Sequence, residues 1–181
     1  MKSTPTKYGS VAVTIHWLSV ILILALLGSG FRVASLIESA AKEALLTLHA
    51  PLGMAIAALT LLRLVWWRRV DQKPKPVAGD PAWQAFVAKT VHVLFYVVIL
   101  GMAASGIALF VLSGAGDIVL GASTGPLPDF ADYPPRAPHG VGAKLMVALL
   151  VLHAGAALYH HFIKKDGLIW RMWYGSDGKG G

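Results

Sequence analysis

Apolar residues fall along this chain in four long blocks, with most of the charge confined to the stretches between them. The first block runs from about Val11 to Phe31 and the second from about Leu45 to Trp67, broken by Arg63 near its end. The third runs from about Phe86 to Leu112 and the fourth from about Val141 to Phe162. Each holds about 20 or more residues, enough as a helix to cross a hydrocarbon layer of about 30 Å. In lipid the backbone must satisfy its polar groups within the segment, so the blocks predict helices. The expected fold is therefore all-α, an integral membrane four-helix bundle, with residues 1–181 forming a single membrane domain. The first block is too long for a cleavable signal peptide, contains His16 and is followed by no clean small-residue cleavage site, so it is expected to stay as a span. No internal repeat is visible.

Composition agrees with that pattern. Charged residues make up 14% of the chain and hydrophobic residues 56%, whereas soluble domains carry about a quarter charged residues. The formal charge of +7 does not point to nucleic acid, because the basic residues flank apolar spans and form no domain of their own. Lys2 and Lys7 precede the first span. Arg68, Arg69, Lys73, Lys75 and Lys89 surround the loop after the second, and Lys164, Lys165, Arg171 and Lys179 follow the fourth. The other two linkers carry fewer cations (Arg32 and Lys42, then Arg136) and the acids Glu38, Glu43, Asp117, Asp129 and Asp132. The positive-inside rule then predicts both termini and the middle loop on the cytoplasmic side, where the Trp66–Trp67 and Trp170–Trp173 pairs would anchor at the interface. The loop from about Gly114 to Pro138, rich in Gly, Pro and Asp, falls outside, and a loop of that length often caps a site. Lys73-Pro74-Lys75-Pro76 reads as a stiff extended spacer.

The chemistry rests on seven histidines and no cysteine. Without cysteine there are no disulfides, no thiolate-held iron–sulfur clusters and no covalently attached c-type haem. A haem would have to be held through axial ligands, with His the obvious one and Met an alternative. Ionisable groups in spans are costly and usually functional. His16 lies near the cytoplasmic start of the first span, His49 near the outer start of the second, and His92 near the cytoplasmic start of the third. His139 stands at the outer start of the fourth span and His153 deep within it, with His160 and His161 at its inner end. Fourteen residues separate His139 from His153. On a helix that is about 21 Å of axial rise, with the two side chains within roughly 40° of one face. One helix thus offers an imidazole toward each leaflet. His49 matches the level of His139, and His16 that of His153, which would complete two bis-histidine haem sites stacked across the membrane. His92 begins its span at a depth similar to His16 and is a rival ligand there. Zinc fits less well, since it wants three or four ligands at one level and the spans contain no Asp or Glu. Small residues follow three of the histidines: Gly53, Ala55, Ala57 and Ala58 after His49, Gly140, Gly142 and Ala143 after His139, and Ala154, Gly155, Ala156 and Ala157 after His153. They would let a flat macrocycle or a neighbouring helix approach the backbone.

Ile15-His16-Trp17, Leu48-His49-Ala50, Pro138-His139-Gly140 and the run from Leu152 through His160-His161-Phe162, followed by Lys165-Asp166, resemble bacterial cytochrome b561. The likeness extends from about Tyr8 to Trp173 and is nearer to the branch that acts as superoxide oxidase. It implies a bundle in the bacterial inner membrane with two haem b groups, one held by His16 and His153 on the cytoplasmic side and the other by His49 and His139 on the periplasmic side. It also implies a ubiquinone site near His160, with His92 at that level. Periplasmic superoxide would be oxidised to O2, and ubiquinone would take up two electrons and two protons. Such a reaction needs an anion-attracting mouth, for which Arg136, three residues before His139, together with Arg32 and Lys144, are the candidates. Other members of the family relay electrons between the quinone pool and a protein donor or acceptor, and that reading uses the same haems. A third reading, a transporter or channel without haem, would show no Soret band.

Overall fold

The computed structural model describes residues 2–37, 39–76 and 81–175. Glu38 and Lys179, named above among the charges that set topology, lie outside the described residues. Within them the regular structure is all helical, without strands: α1 (Ser10–Ser35), α2 (Ser39–Arg69), α3 (Ala82–Ser113), the short α4 (Ala115–Val119) and α5 (Arg136–Tyr159). A π-helical turn, His160–Lys164, continues α5, and 3-10 turns cover Phe130–Asp132 and Leu168–Met172. Four helices are long and apolar enough to cross a membrane.

These helices outrun the apolar blocks, because helix ends are set by caps and breakers rather than by hydropathy. The α1 helix starts after extended Gly9 and closes with the Leu36 amide on the Arg32 carbonyl, Arg32 lying in the last turn where the helix dipole favours a cation. The α2 helix runs through Pro51, which lacks the N–H that would bond back to Thr47. The α3 helix stops at Gly114, whose φ of 72° is the left-handed conformation suited to a helix end. The α5 helix begins directly after Pro134-Pro135, so His139 stands one turn inside the helix rather than at its first residue. The expected linker between the third and fourth spans is correspondingly shorter and carries structure of its own, with α4 packed on α2 and the 3-10 turn on α5.

Helices α1 and α2, α2 and α3, and α3 and α5 pack closely along their lengths, whereas α5 has no comparable seam with α1 or α2. One buried residue from each spanning helix, Ile23, Ile56, Ile99 and Met146, meets at the centre in an apolar plug, surrounded by Leu26, Leu59, Phe95, Val98 and Leu150. Met146 lies seven residues from both His139 and His153. The plug is therefore a dry layer between the two histidine levels. Outward positions such as Ile21, Val111 and Val151 are exposed apolar side chains, as a lipid-facing surface requires.

The N-terminal segment, the α2–α3 loop and the tail through Gly175 converge at one end of the bundle. Arg171 donates from Nε to the Thr6 carbonyl and from a terminal nitrogen to that of Lys75, both at 2.6 Å. Buried Asp71 accepts from the Ser3 amide and hydroxyl, the latter at 2.8 Å, and from the Trp66 indole. The Trp17 indole donates to the Met172 carbonyl at 2.9 Å. This end carries most of the basic residues and the Trp66–Trp67 and Trp170–Trp173 pairs. This is the clasped end of the bundle, and the opposite one is the open end.

Candidate cofactor sites

Toward the open end, His49 of α2 faces His139 of α5, with ring centres 6.3 Å apart. Each ring is fixed by a Ser-Gly pair on a neighbouring helix. The Ser29 hydroxyl of α1 donates to the Ala25 carbonyl at 2.8 Å, so its oxygen is left to accept the Nδ1–H of His49, also at 2.8 Å. On α3, Ser105 donates to the Met102 carbonyl at 3.0 Å. His139 Nδ1 lies 3.0 Å from the Ser105 oxygen and 3.1 Å from that carbonyl, which can only accept, so this Nδ1 also carries its proton. These contacts suit the Nδ1–H tautomer of both rings, which leaves both Nε2 lone pairs for a metal, the arrangement that orients histidine ligands. The paired glycines make room: a Cβ on Gly30 would meet His49 Cε1 at 3.1 Å, and one on Gly106 would meet His139 Cε1 at 3.3 Å.

Toward the clasped end, His16 of α1 and His153 of α5 have ring centres 6.2 Å apart. His92 of α3 also touches His153, with centres 5.6 Å apart, and donates from Nδ1 to the Ala88 carbonyl. All three line one cavity with Arg63, Tyr96 and Leu150. His16 and His153 show ring contacts but no hydrogen bond. The sequence-predicted partners are thus brought together at two levels, with His92 beside the second pair.

The fit of a haem can be tested on these spacings. A metal–imidazole bond is about 2 Å, so two imidazoles on opposite sides of one iron have ring centres about 6 Å apart. The pairs bridge from α5 to the two helices it does not pack against closely, α2 through His49 and α1 through His16, which is where a flat macrocycle needs space. The donor set also fits, being neutral imidazoles in an apolar bundle. Among the described residues no three His, Asp or Glu side chains converge as a zinc site requires.

The remaining candidates lie at the two ends. Arg136 opens α5 one turn before His139, and its guanidinium lies over Gly140, 2.9 Å from where a Cβ would stand. Arg32 and Lys144 are exposed. Lys144 is five residues beyond His139, about 140° around α5, and so faces away from the imidazoles. At the clasped end His160 begins the π turn, a distortion frequent at functional sites, and its Nδ1 hydrogen bonds Asp166. Burial pushes Asp166 up, but the hydrogen bonds from His160 and the Leu168 amide and the nearby charges of His160 and Lys164 outweigh it, so its pKa lies below the usual carboxylate value. His161 stacks edge-on against Phe162 and Trp170 and takes no part in either pair.

Ser29, Gly30, Ser105 and Gly106 were not singled out by sequence reasoning, and Asp166 entered only as part of the terminal motif, without its role beside His160. The available signal was a Ser-Gly dipeptide recurring in the first and third spans at the depth of His49 and His139.

Comparison with known proteins follows the same outline. The family model for prokaryotic cytochrome b561 matches residues 7–175. Cytochrome b561 homolog 1 of Escherichia coli (strain K12) is 27% identical over 176 residues, covering 92% of this chain and 96% of that protein. Homolog 2 of the same organism is 28% identical over 183 residues, covering 94% and 93%. A protein of Yersinia pestis named probable superoxide oxidase CybB is 27% identical over 173 residues, covering 92% and 95%. No solved structure gave a significant match.

Proposed function

The chain belongs to the prokaryotic cytochrome b561 family of electron-transfer membrane proteins that bind haem b, and from that footing we propose that it is a di-haem superoxide:ubiquinone oxidoreductase. Two superoxide anions would leave as O2, and one ubiquinone would gain two electrons and two protons to become ubiquinol. The observation that carries this reading is the pair of imidazole couples, 6.2 and 6.3 Å between ring centres, at two depths of one bundle. When bound, the haems supply one-electron redox chemistry at each depth.

The chain's own residues then divide the work. His49 and His139 would hold one iron and His16 and His153 the other, since the 6.2 Å spacing of the latter couple matches the 6.3 Å of the former better than the 5.6 Å of His92 to His153 does. Ser29 and Ser105 keep the open-end rings in register. The plug of Ile23, Ile56, Ile99 and Met146 puts apolar side chains between the levels, which disfavours passage of water and protons there. Arg136, with Arg32 and Lys144 adding charge at that end, draws an anion toward the open-end site. At the clasped end His160, its Nδ1 bonded to Asp166, presents Nε2 to a quinone carbonyl and can carry a proton. His92 lies close enough to assist. The positive-inside rule, applied to the basic residues, supports a cytoplasmic clasped end and a periplasmic open end.

Kinship to a protein named probable superoxide oxidase supports the choice of donor. Relatives named only as cytochrome b561 homologs leave room for the second reading, a relay between quinone and a protein partner. Stopped-flow mixing of oxidised protein with superoxide distinguishes them. Haem reduction that outruns spontaneous dismutation supports superoxide oxidation. Its absence in protein that dithionite fully reduces would leave the relay, and a pull-down from membranes would then seek the partner.

A further inference from the structure

Two donors on one face of α2 have no partner. Arg63 and Trp67 stand one turn apart, and Arg63 Nε and Trp67 Nε1 are the buried side-chain nitrogens, among the described residues, that make no hydrogen bond. Arg63 lines the cavity that holds His16, His92 and His153. The ion pair found among the described residues is His160 with Asp166, so no described carboxylate answers the guanidinium. Ser19 and Thr60, on the same cavity, donate to the Ile15 and Ile56 carbonyls of their own helices, each at 2.7 Å. They therefore leave the guanidinium as the strong donor facing that space. Its charge is felt at groups flanking the clasped end. Burial lowers the pKa of Lys73 and Arg63 adds to the lowering; burial raises that of Tyr8, while Arg171 and Arg63 pull it back.

A half-buried guanidinium in an apolar span, its Nε shut off from solvent without a partner, is costly unless something bound there supplies the anion. We propose that Arg63, with the Trp67 indole as a second donor one turn nearer the clasped end, anchors a propionate carboxylate of the haem held by His16 and His153. This rests on the two-site reading above. The planar fork of Arg matches a carboxylate in a way a lone ammonium does not. Haem b carries its carboxylates along one edge, and the donors sit on the clasped-end side of the cavity, so that edge points toward the interface. There is an electrical consequence. A cation that cancels the carboxylate charge favours the reduced haem, raising the potential at the clasped-end site and drawing electrons away from the open end.

The test is a redox titration of Arg63→Gln, Arg63→Lys and Trp67→Phe, each in a His139→Ala chain that retains only the clasped-end haem. In Arg63→Gln the reduction equilibrium should shift about tenfold toward the oxidised form, which is about 59 mV for a one-electron couple. Arg63→Lys should keep most of the parent potential, and Trp67→Phe should shift less, in the same direction. Loss of the haem in Arg63→Gln but not in Arg63→Lys supports the anchor as well. A potential in Arg63→Gln within twofold of the parent equilibrium, with haem content intact, overturns the inference alone. So does loss of both haems when Arg63→Gln and Arg63→Lys are each made in the otherwise unaltered chain, which would mark Arg63 as a packing residue. If His139→Ala itself binds no haem, the two-site reading fails and this inference with it.

Discussion

Replacing Ser29 by alanine removes one hydroxyl and isolates what orients His49. The serine oxygen accepts the Nδ1–H of His49 at 2.8 Å while its own proton goes to the Ala25 carbonyl. The variant thus loses the ring's acceptor and leaves a buried N–H unmet. One net hydrogen bond is worth about 1 kcal/mol, and an unmet buried donor costs about 1–3 kcal/mol. Losing an orienting partner of a histidine ligand typically weakens metal binding by about 10- to 100-fold. These figures agree on roughly a tenfold weaker hold at the open-end site. The assay is the rate of haem transfer to excess apomyoglobin, followed separately for the two haems by their reduced-minus-oxidised bands. Ser29→Ala should speed loss of one haem about tenfold and leave the other unchanged, and Ser105→Ala should act on the same haem. Gly30→Ala presses on the same ring from another side, its Cβ 3.1 Å from His49 Cε1, and should broaden the same band. Equal acceleration of both haems, or loss of the haem that depends on His16, would refute the assignment of these serines.

Further expectations follow from the same geometry. His49→Ala and His139→Ala should abolish one haem, and His16→Ala and His153→Ala the other, while His92→Ala should retain both by haem content. Arg136→Glu should slow reduction by superoxide, and the native rate should fall as salt rises, because a Debye length of about 8 Å at physiological ionic strength screens the attraction; reduction by dithionite should be unaffected. Burial raises the Asp71 pKa, but the hydrogen bonds from Ser3, Gln72 and Trp66 outweigh it, leaving the group below its ordinary 3.8. Because the folded value is the depressed one, its stabilisation is fully present above pH 3.8 and is lost as pH falls through the lower folded value. The stability gap between the native chain and Asp71→Asn, read from unfolding in detergent, should therefore be flat near neutrality and close in acid.

The spans and the spacing of His139 and His153 were legible because both are periodic along one helix. The depths of His16 and His49 followed from counting along apolar blocks. What escaped was set by contacts between helices. A hydroxyl inside a span usually bonds back to its own helix, as those of Ser19 and Thr60 do here, so beyond the recurring Ser-Gly dipeptide nothing in the sequence marks Ser29 and Ser105 as reaching across to a histidine. Arg63 was visible as a break in an apolar block, but its place beside three histidines depends on how α2 packs. The clasp of Ser3, Asp71 and Arg171 joins residues far apart in the chain, which no periodicity reports. The start of α5 was placed late because a hydropathy block begins at the first apolar residue, whereas the helix begins at its prolines.

The proposed function requires four imidazoles to hold two irons in one bundle. Purified protein should yield two haems b per chain by pyridine haemochrome, with low-spin, six-coordinate spectra carrying the electron paramagnetic resonance signals of bis-imidazole ligation. One haem per chain, or a high-spin resting spectrum, would contradict it.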